Sequence, residues 1–253
     1  MLLVVDIGNT QIVAGVFDGK TLRGSWRLSS RREMTADEFA VLLRGALGEA
    51  AAGIESAVMA SVVPPLTGEG RRALARLVGK EPLLVEPGIR TGLKIRTDSP
   101  QEVGADRIVN AVAALESYGG PAVVVDFGTA TTLDVMTASG EYLGGVITVG
   151  ARVGVDALSV RAARLPRVDL ALPPRVIGRN TMDSIRSGAL YGHAAMVDGL
   201  VERIEEELGE TVTVVVTGGT AGIIGPLMKR IDFTNPHLTL EGLRILHARN
   251  SSR

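Results

Sequence analysis

Four short stretches carry residue types that could do chemistry. Asp6-Ile7-Gly8-Asn9-Thr10 sets a carboxylate, a glycine, an amide and a hydroxyl between two apolar runs at 2–5 and 11–17. Such a turn can hold a phosphate and its cation: the glycine lets backbone approach the ligand, the N–H groups face the anion and the carboxylate faces the cation. It can equally be an ordinary hairpin whose Asp and Asn serve only the turn. Asp126-Phe127-Gly128-Thr129-Ala130-Thr131 repeats the device between apolar runs at 122–125 and 132–136. Internal repetition is the strongest organisational signal in the chain. Two related halves would set the two turns across a cleft, where they could clamp a polyphosphate and its cation. Gly104-Ala105-Asp106-Arg107 leads into the apolar stretch 108–115. A carboxylate in the first turn of that helix is favoured by the helix dipole and could face a cleft, or could be a cap beside a surface arginine. Thr217-Gly218-Gly219-Thr220 joins a strand to a helix, where a Gly-rich turn can admit a nucleotide against the helix N-terminus or simply allow close packing.

These stretches need elements to position them. Residues 2–5 and 11–17 read as strands closed by the Asp18-Gly19 turn, and 21–28 as a third. Thr35-Ala-Asp-Glu38 has the form of a capping box, and the helix it opens carries Phe39, Leu42, Leu43, Ala46 and Leu47 at helical spacing. A strand at 56–63 ends at Pro64-Pro65. A helix at 70–78, a strand at 82–85 and a loop at 87–101 follow. Gly119-Gly120-Pro121 is a break, which predicts two domains, 1–118 and 119–253. Beyond it come the repeated strands, a third strand with Gly144-Gly145 at 141–149, a helix at 150–163 and a loop at 165–175. A long helix follows Thr181, with Met182, Ile185, Ala189, Met196, Val197, Leu200, Val201 and Ile204 forming a core or dimer face. A strand at 211–216, a helix through Met228 and a docking helix with Leu240, Leu243 and Leu246 complete the chain. The alternation predicts an α/β protein with mixed sheets covered by helices.

Composition narrows the function classes. The 253 residues are 45% hydrophobic and 3% aromatic, with 31 glycines, which suits a tightly packed α/β protein. The charge is balanced at −1, from 27 basic and 28 acidic residues, and no long basic block appears, so neither a nucleic-acid nor a membrane-surface partner is suggested. With no cysteine, disulfides, thiolate catalysis and zinc–thiolate sites are excluded. The histidines, His193, His237 and His247, are too widely spaced to suggest a His-rich metal site. No segment approaches the ~20 apolar residues of a membrane span, and the run at 1–5 is short for a secretion signal. A soluble cytoplasmic protein is expected.

Taken together the motifs resemble the acetate kinase, sugar kinase, Hsp70 and actin superfamily, and within it the type III pantothenate kinase family. The resemblance rests on Asp6-Ile-Gly-Asn-Thr10, Gly104-Ala-Asp-Arg107 with Ile108-Val-Asn-Ala111, and Val125-Asp-Phe-Gly-Thr-Ala-Thr-Thr132. It extends to Gly144-Gly145-Val-Ile147, Ile177-Gly-Arg-Asn-Thr181 with Ser187-Gly188, Thr217-Gly-Gly219 and Leu238-Thr-Leu-Glu-Gly-Leu243. It implies duplicated actin-like (ribonuclease H-like) domains, each a mixed sheet with flanking helices, and a nucleotide cleft between them. The implied activity is ATP-dependent phosphorylation of pantothenate to 4′-phosphopantothenate, the first step of coenzyme A biosynthesis. Carried over by residue, Asp6, Ile7, Gly8, Asn9, Thr10, Gln11, Ile12 and Val13 would form the ATP phosphate turn, with Thr129, Gly218 and Gly219 also on the nucleotide. Asp106 would be the general base. Gly104, Ala105, Asp106, Arg107, Thr97 and Thr181 would line the pantothenate pocket, Thr181 reaching it from the partner subunit of a homodimer. Asp126 would hold a monovalent cation, K⁺ or NH₄⁺, and Asp6 would lie near Mg²⁺. Three positions depart from the family pattern: Thr97 stands where a Tyr is usual, Val149-Gly150 where Pro-Gly is usual, and Arg186 where Gln is usual. A catalytically weak regulatory relative, or a kinase of another small hydroxyl compound, is the alternative reading.

Overall fold

The computed structural model describes residues 1–162 and 164–251. In chain order the first elements are β1 (Leu2–Ile7), β2 (Gln11–Asp18), β3 (Thr21–Ser29), α1 (Ala36–Leu47), β4 (Ser56–Ser61), α2 (Pro64–Val78), β5 (Leu83–Leu84), β6 (Lys94–Ile95) and α3 (Ala105–Tyr118). There follow β7 (Ala122–Phe127), β8 (Ala130–Met136), β9 (Glu141–Val149), α4 (Ala151–Arg161), α5 (Thr181–Leu208), β10 (Thr213–Thr217), α6 (Ala221–Ile224), β11 (Phe233–Thr234) and α7 (Leu238–Ser251). The chain divides into two compact units. One comprises Met1–Leu93, Asp98–Ala113 and His237–Arg253; the other comprises Lys94–Thr97 and Ala114–Pro236. Relative to a division at 118/119, β6 goes to the second unit and α7 to the first.

The first unit holds a five-stranded sheet in the order β3-β2-β1-β4-β5. β1 and β2 form an antiparallel hairpin, and β4 runs parallel to β1. Leu3, Val4, Val5 and Ile7 are all fully buried, as expected of a strand covered on both faces. Strand alternation sorts them. Leu3, Val5 and Ile7 share a core with Phe39 and Leu43 of α1 and Leu66 and Leu74 of α2. Val4 shares another with Phe17, Val58, Val109 and Val112 of α3, and Leu240, Leu243 and Leu246 of α7. This packing explains why α7 belongs to the first unit.

The second unit repeats the plan. Its sheet runs β11-β10-β7-β8-β9-β6, with β7–β8 antiparallel and β10 parallel to β7. The order β9-β8-β7-β10-β11 matches β3-β2-β1-β4-β5, so the duplication expected from the two Asp-x-Gly motifs is present as a duplicated mixed sheet. β6 is the addition. It pairs Lys94 with Glu141 and Ile95 with Tyr142, within a stretch that local pattern reads as loop. Val123, Val125 and Phe127 pack with Leu190, Ala194 and Val197 of α5.

Element ends differ from the pattern reading for local reasons. α2 begins at Pro64 rather than at residue 70, because proline is well placed in a first helical turn, where its missing N–H costs nothing. α6 stops at Ile224 instead of reaching Met228, since Pro226 cannot donate to the helix ladder. α4 ends at Arg161, and residue 163, the expected end of that helix, lies outside the described residues. The capping box of α1 is formed: Glu38 N donates to Thr35 Oγ1 at 3.3 Å and Thr35 N to Glu38 Oε2 at 2.9 Å. Thr35→Ala is expected to lower the unfolding free energy by about 1 kcal/mol, read as a shift in urea midpoint at unchanged slope. Among the described residues no helix is long and apolar enough to cross a membrane.

Candidate active site

Asp6 belongs to β1 itself, one residue before its end, and the turn proper is Gly8–Thr10. Alternation puts Asp6 on the sheet face of Val4, the face that α3 and α7 cover. Gly8 N donates to Gln11 O at 3.0 Å and closes the turn. Asn9, Thr10 and Gln11 are exposed, and Val13 is half-buried. Ile7 and Ile12 are fully buried in the core, so they can offer a ligand only backbone groups.

Gly104–Arg107 lies in the same unit. Val62, just past β4, donates its N–H to Ile7 O at 3.0 Å. A Cβ added at Gly104 would sit 3.7 Å from Val62 Cγ1. The start of α3 is therefore two contacts from the first turn. The same added Cβ would lie 2.6 Å from Asp106 Oδ1, so any side chain at residue 104 would displace that carboxylate. Arg107 N donates to Asp106 Oδ1 at 2.8 Å. Burial pushes the Asp106 carboxyl above the ordinary aspartate range; the Arg107 N–H and guanidinium oppose the shift without cancelling it. A desolvated carboxylate held by backbone N–H groups, with its pKa raised, has the properties of a general base.

The second unit builds a comparable corner. Asp126 pairs with Thr132 across the hairpin and with Thr217 of β10, and Gly128 N donates to Ala130 O at 3.0 Å. Gly218 has φ +100°, and a Cβ there would strike Asp126 Oδ1 and lie 2.5 Å from Phe127 N. Thr220 donates from both N and Oγ1 to Phe127 O, each at 3.1 Å. The structure thus brings Asp126, Thr129, Gly218 and Gly219 to one corner. Thr97, just past β6, lies instead against β9, with its methyl 3.6 Å from the position of a Cβ at Gly144. Its hydroxyl is buried without a hydrogen-bond partner. Thr181 opens α5 at a cavity of about 560 Å³ between α4 and α5 that also meets Val155, Leu158, Ile185 and His193.

Two polar residues escape a reading of local pattern. Asp134 is fully buried; Tyr142 Oη donates to its Oδ1 at 2.6 Å and Thr132 Oγ1 to its Oδ2 at 3.3 Å. Its signal is a carboxylate in an otherwise apolar strand. His193 sits on the apolar face of α5, on the Leu190, Ala194, Val197 spacing, and that spacing was the only available hint.

Two mixed sheets of matched strand order with flanking helices, each ending an inner strand in Asp-x-Gly, define the actin-like ATPase and sugar kinase fold. A ROK hexokinase from Thermus thermophilus superimposes with TM-score 0.53 over 97% of this chain and 97% of its own, at 16% identity, a likeness of fold alone. Sequence goes further. The family model for type III pantothenate kinase matches residues 2–203. The type III pantothenate kinase of Moorella thermoacetica is 50% identical over 254 residues, covering 99% of this chain and all of that protein. That of Streptomyces coelicolor is 48% identical over 264 residues, covering both chains fully. The chain belongs to the type III pantothenate kinase family.

Proposed function

We propose that the protein transfers the γ-phosphoryl group of ATP to the terminal hydroxyl of pantothenate, giving 4′-phosphopantothenate and ADP at the entry to coenzyme A biosynthesis. The observation that carries this reading is Asp106, a desolvated carboxylate at the start of α3, anchored through Arg107 N and close in its own unit to the first Asp-x-Gly turn. Phosphoryl transfer needs positioning and charge neutralisation more than covalent chemistry. The Gly8–Thr10 turn offers its amides to the phosphates. Asp106 accepts the proton of the pantothenate hydroxyl as that oxygen bonds to phosphorus and the β–γ bridging oxygen departs with ADP. Arg107, beside it, suits the pantothenate carboxylate, and Gly104, Ala105, Thr97 and Thr181 are the other residues assigned to the pantothenate.

Among the described residues no group of three or more His, Asp or Glu side chains could hold a metal ion. The residues fit Mg²⁺ only as an ion carried mainly by the nucleotide phosphates, with Asp6 as the neighbouring carboxylate; bound so, it would neutralise phosphate charge. Asp126, a single carboxylate at a glycine-walled corner, fits a monovalent cation, K⁺ or NH₄⁺. A homodimer and a cytoplasmic location belong to the same reading. The exposed apolar side chains of the second unit support the dimer, among them Val160 at 80% and Ile177 at 81%.

The test is ADP release from ATP with and without pantothenate, in potassium and in sodium. Pantothenate-dependent turnover, faster in potassium, is expected. Absence of pantothenate-dependent turnover in potassium sinks the reading and leaves a regulatory relative, or a kinase of another hydroxyl compound, in its place.

A further inference from the structure

The second Asp-x-Gly turn has two faces. Asp126 and Thr132 point to one; Phe127 and Thr131, an opposed pair in the hairpin, point to the other, toward α5. On that second face α5 presents Leu190, Ala194 and Val197, with His193 among them. Its Nε2 lies 2.9 Å from Thr131 Oγ1, and both side chains are buried. Its ring lies 6.1 Å from the Phe127 ring, centroid to centroid, at 54°. Phe127 O in turn receives both hydrogen bonds from Thr220, at the far end of the Gly218-Gly219 turn. One imidazole thus touches the two residues that flank Gly128–Ala130, and through Phe127 it adjoins the third Gly-rich turn.

We infer that His193 is a positioning residue for the second Asp-x-Gly turn, fixing Thr131 and Phe127 from the sheet face opposite Asp126. The inference rests on reading that turn as part of the ATP site, with Thr129 on the nucleotide and Asp126 holding the cation beside it. A packing role alone would be met by a fourth aliphatic residue on this face. The histidine adds a directional bond to a buried hydroxyl that would otherwise lose a partner. Burial pushes the imidazole pKa below its ordinary value, so the ring is neutral at pH 7 and can share one hydrogen bond with a neutral hydroxyl without burying a charge.

The decisive variants are His193→Leu, His193→Gln and Thr131→Val, each measured for KM of ATP, KM of pantothenate and Tm. His193→Leu fills the space but loses the bond, so KM for ATP rises about tenfold. KM for pantothenate stays within about threefold, and Tm holds or rises because the site is apolar. His193→Gln, which restores a hydrogen-bonding group, recovers KM for ATP to within about threefold of wild type. Thr131→Val repeats the leucine result, and the double variant adds nothing further, as expected of two ends of one bond. The inference is overturned if His193→Leu leaves KM for ATP within about twofold, or if both KM values rise alike with a falling Tm. Asp126→Ala separates the two levels. If it leaves KM for ATP unchanged, the ATP-site reading of the turn falls and the inference with it. If it raises KM while His193→Leu does not, only the role of His193 falls.

Discussion

Asp106→Asn is expected to lower kcat by about 10²–10⁴-fold, the usual worth of a general base, while KM for ATP stays within about threefold. The same substitution is expected to leave Tm at pH 7.5 unchanged or raised. The sign follows from the raised pKa. The folded protein holds the Asp106 proton more tightly than the unfolded chain does, so between the two pKa values stability falls as pH rises. Above the folded pKa the ionised, desolvated carboxylate remains a net cost, which the neutral amide removes. Catalytic groups commonly carry such a cost. In wild type, kcat/KM falls on the acid side as Asp106 protonates, with a midpoint above the ordinary aspartate value of 3.8. Steady-state rates across pH and a thermal melt of both proteins check this. A variant that retains the wild-type rate removes Asp106 from the chemistry while leaving the fold untouched.

Gly218→Ala is the second large effect. Its φ of +100° is a conformation that L side chains rarely adopt, and the new methyl would strike Asp126 Oδ1 and press on Phe127 N. Backbone strain of this kind costs about 1–3 kcal/mol, and overpacking against backbone costs about 1–3 kcal/mol more. A total loss of about 2–6 kcal/mol is expected, read by urea unfolding, with KM for ATP rising because the displaced group is the Asp126 carboxylate. Gly219→Ala, with nothing within 4 Å of its added Cβ, leaves the unfolding midpoint where it was. Equal losses at 218 and 219 would show that a general need for glycine in this turn, not the close approach to Asp126, governs it.

Much of this architecture was legible because it is local. Each Asp-x-Gly motif needs only a few residues to specify a hairpin, and both hairpins are present. The capping box at Thr35 and the apolar spacing of α5 are likewise local signals. What escaped was decided by distant contacts. β6 is two residues long and exists only because β9 lies beside it. The double proline starts α2, while β4 has already stopped at Ser61, and proline alone does not say whether it ends one element or opens the next. At the site, Asp106 was legible as a first-turn carboxylate, but its raised pKa comes from burial, which no spacing encodes. The partners of His193 and Asp134 lie on other elements, so their roles appear only once the sheets are assembled.

The place of α7 bears on the order in which the chain can fold during synthesis. Leu240, Leu243 and Leu246 cover Val4, Phe17 and Val58, and a Cβ at Gly242 would run into the Val109 backbone, so the helix is seated tightly on α3. The sheet of the first unit therefore waits for residues that follow the whole second unit along the chain. Residues 114–236 contain a complete core of their own and need no later segment. The second unit can consolidate while the first still has one sheet face covered by α3 alone, which makes that nascent sheet the part most in need of protection until translation reaches Leu246.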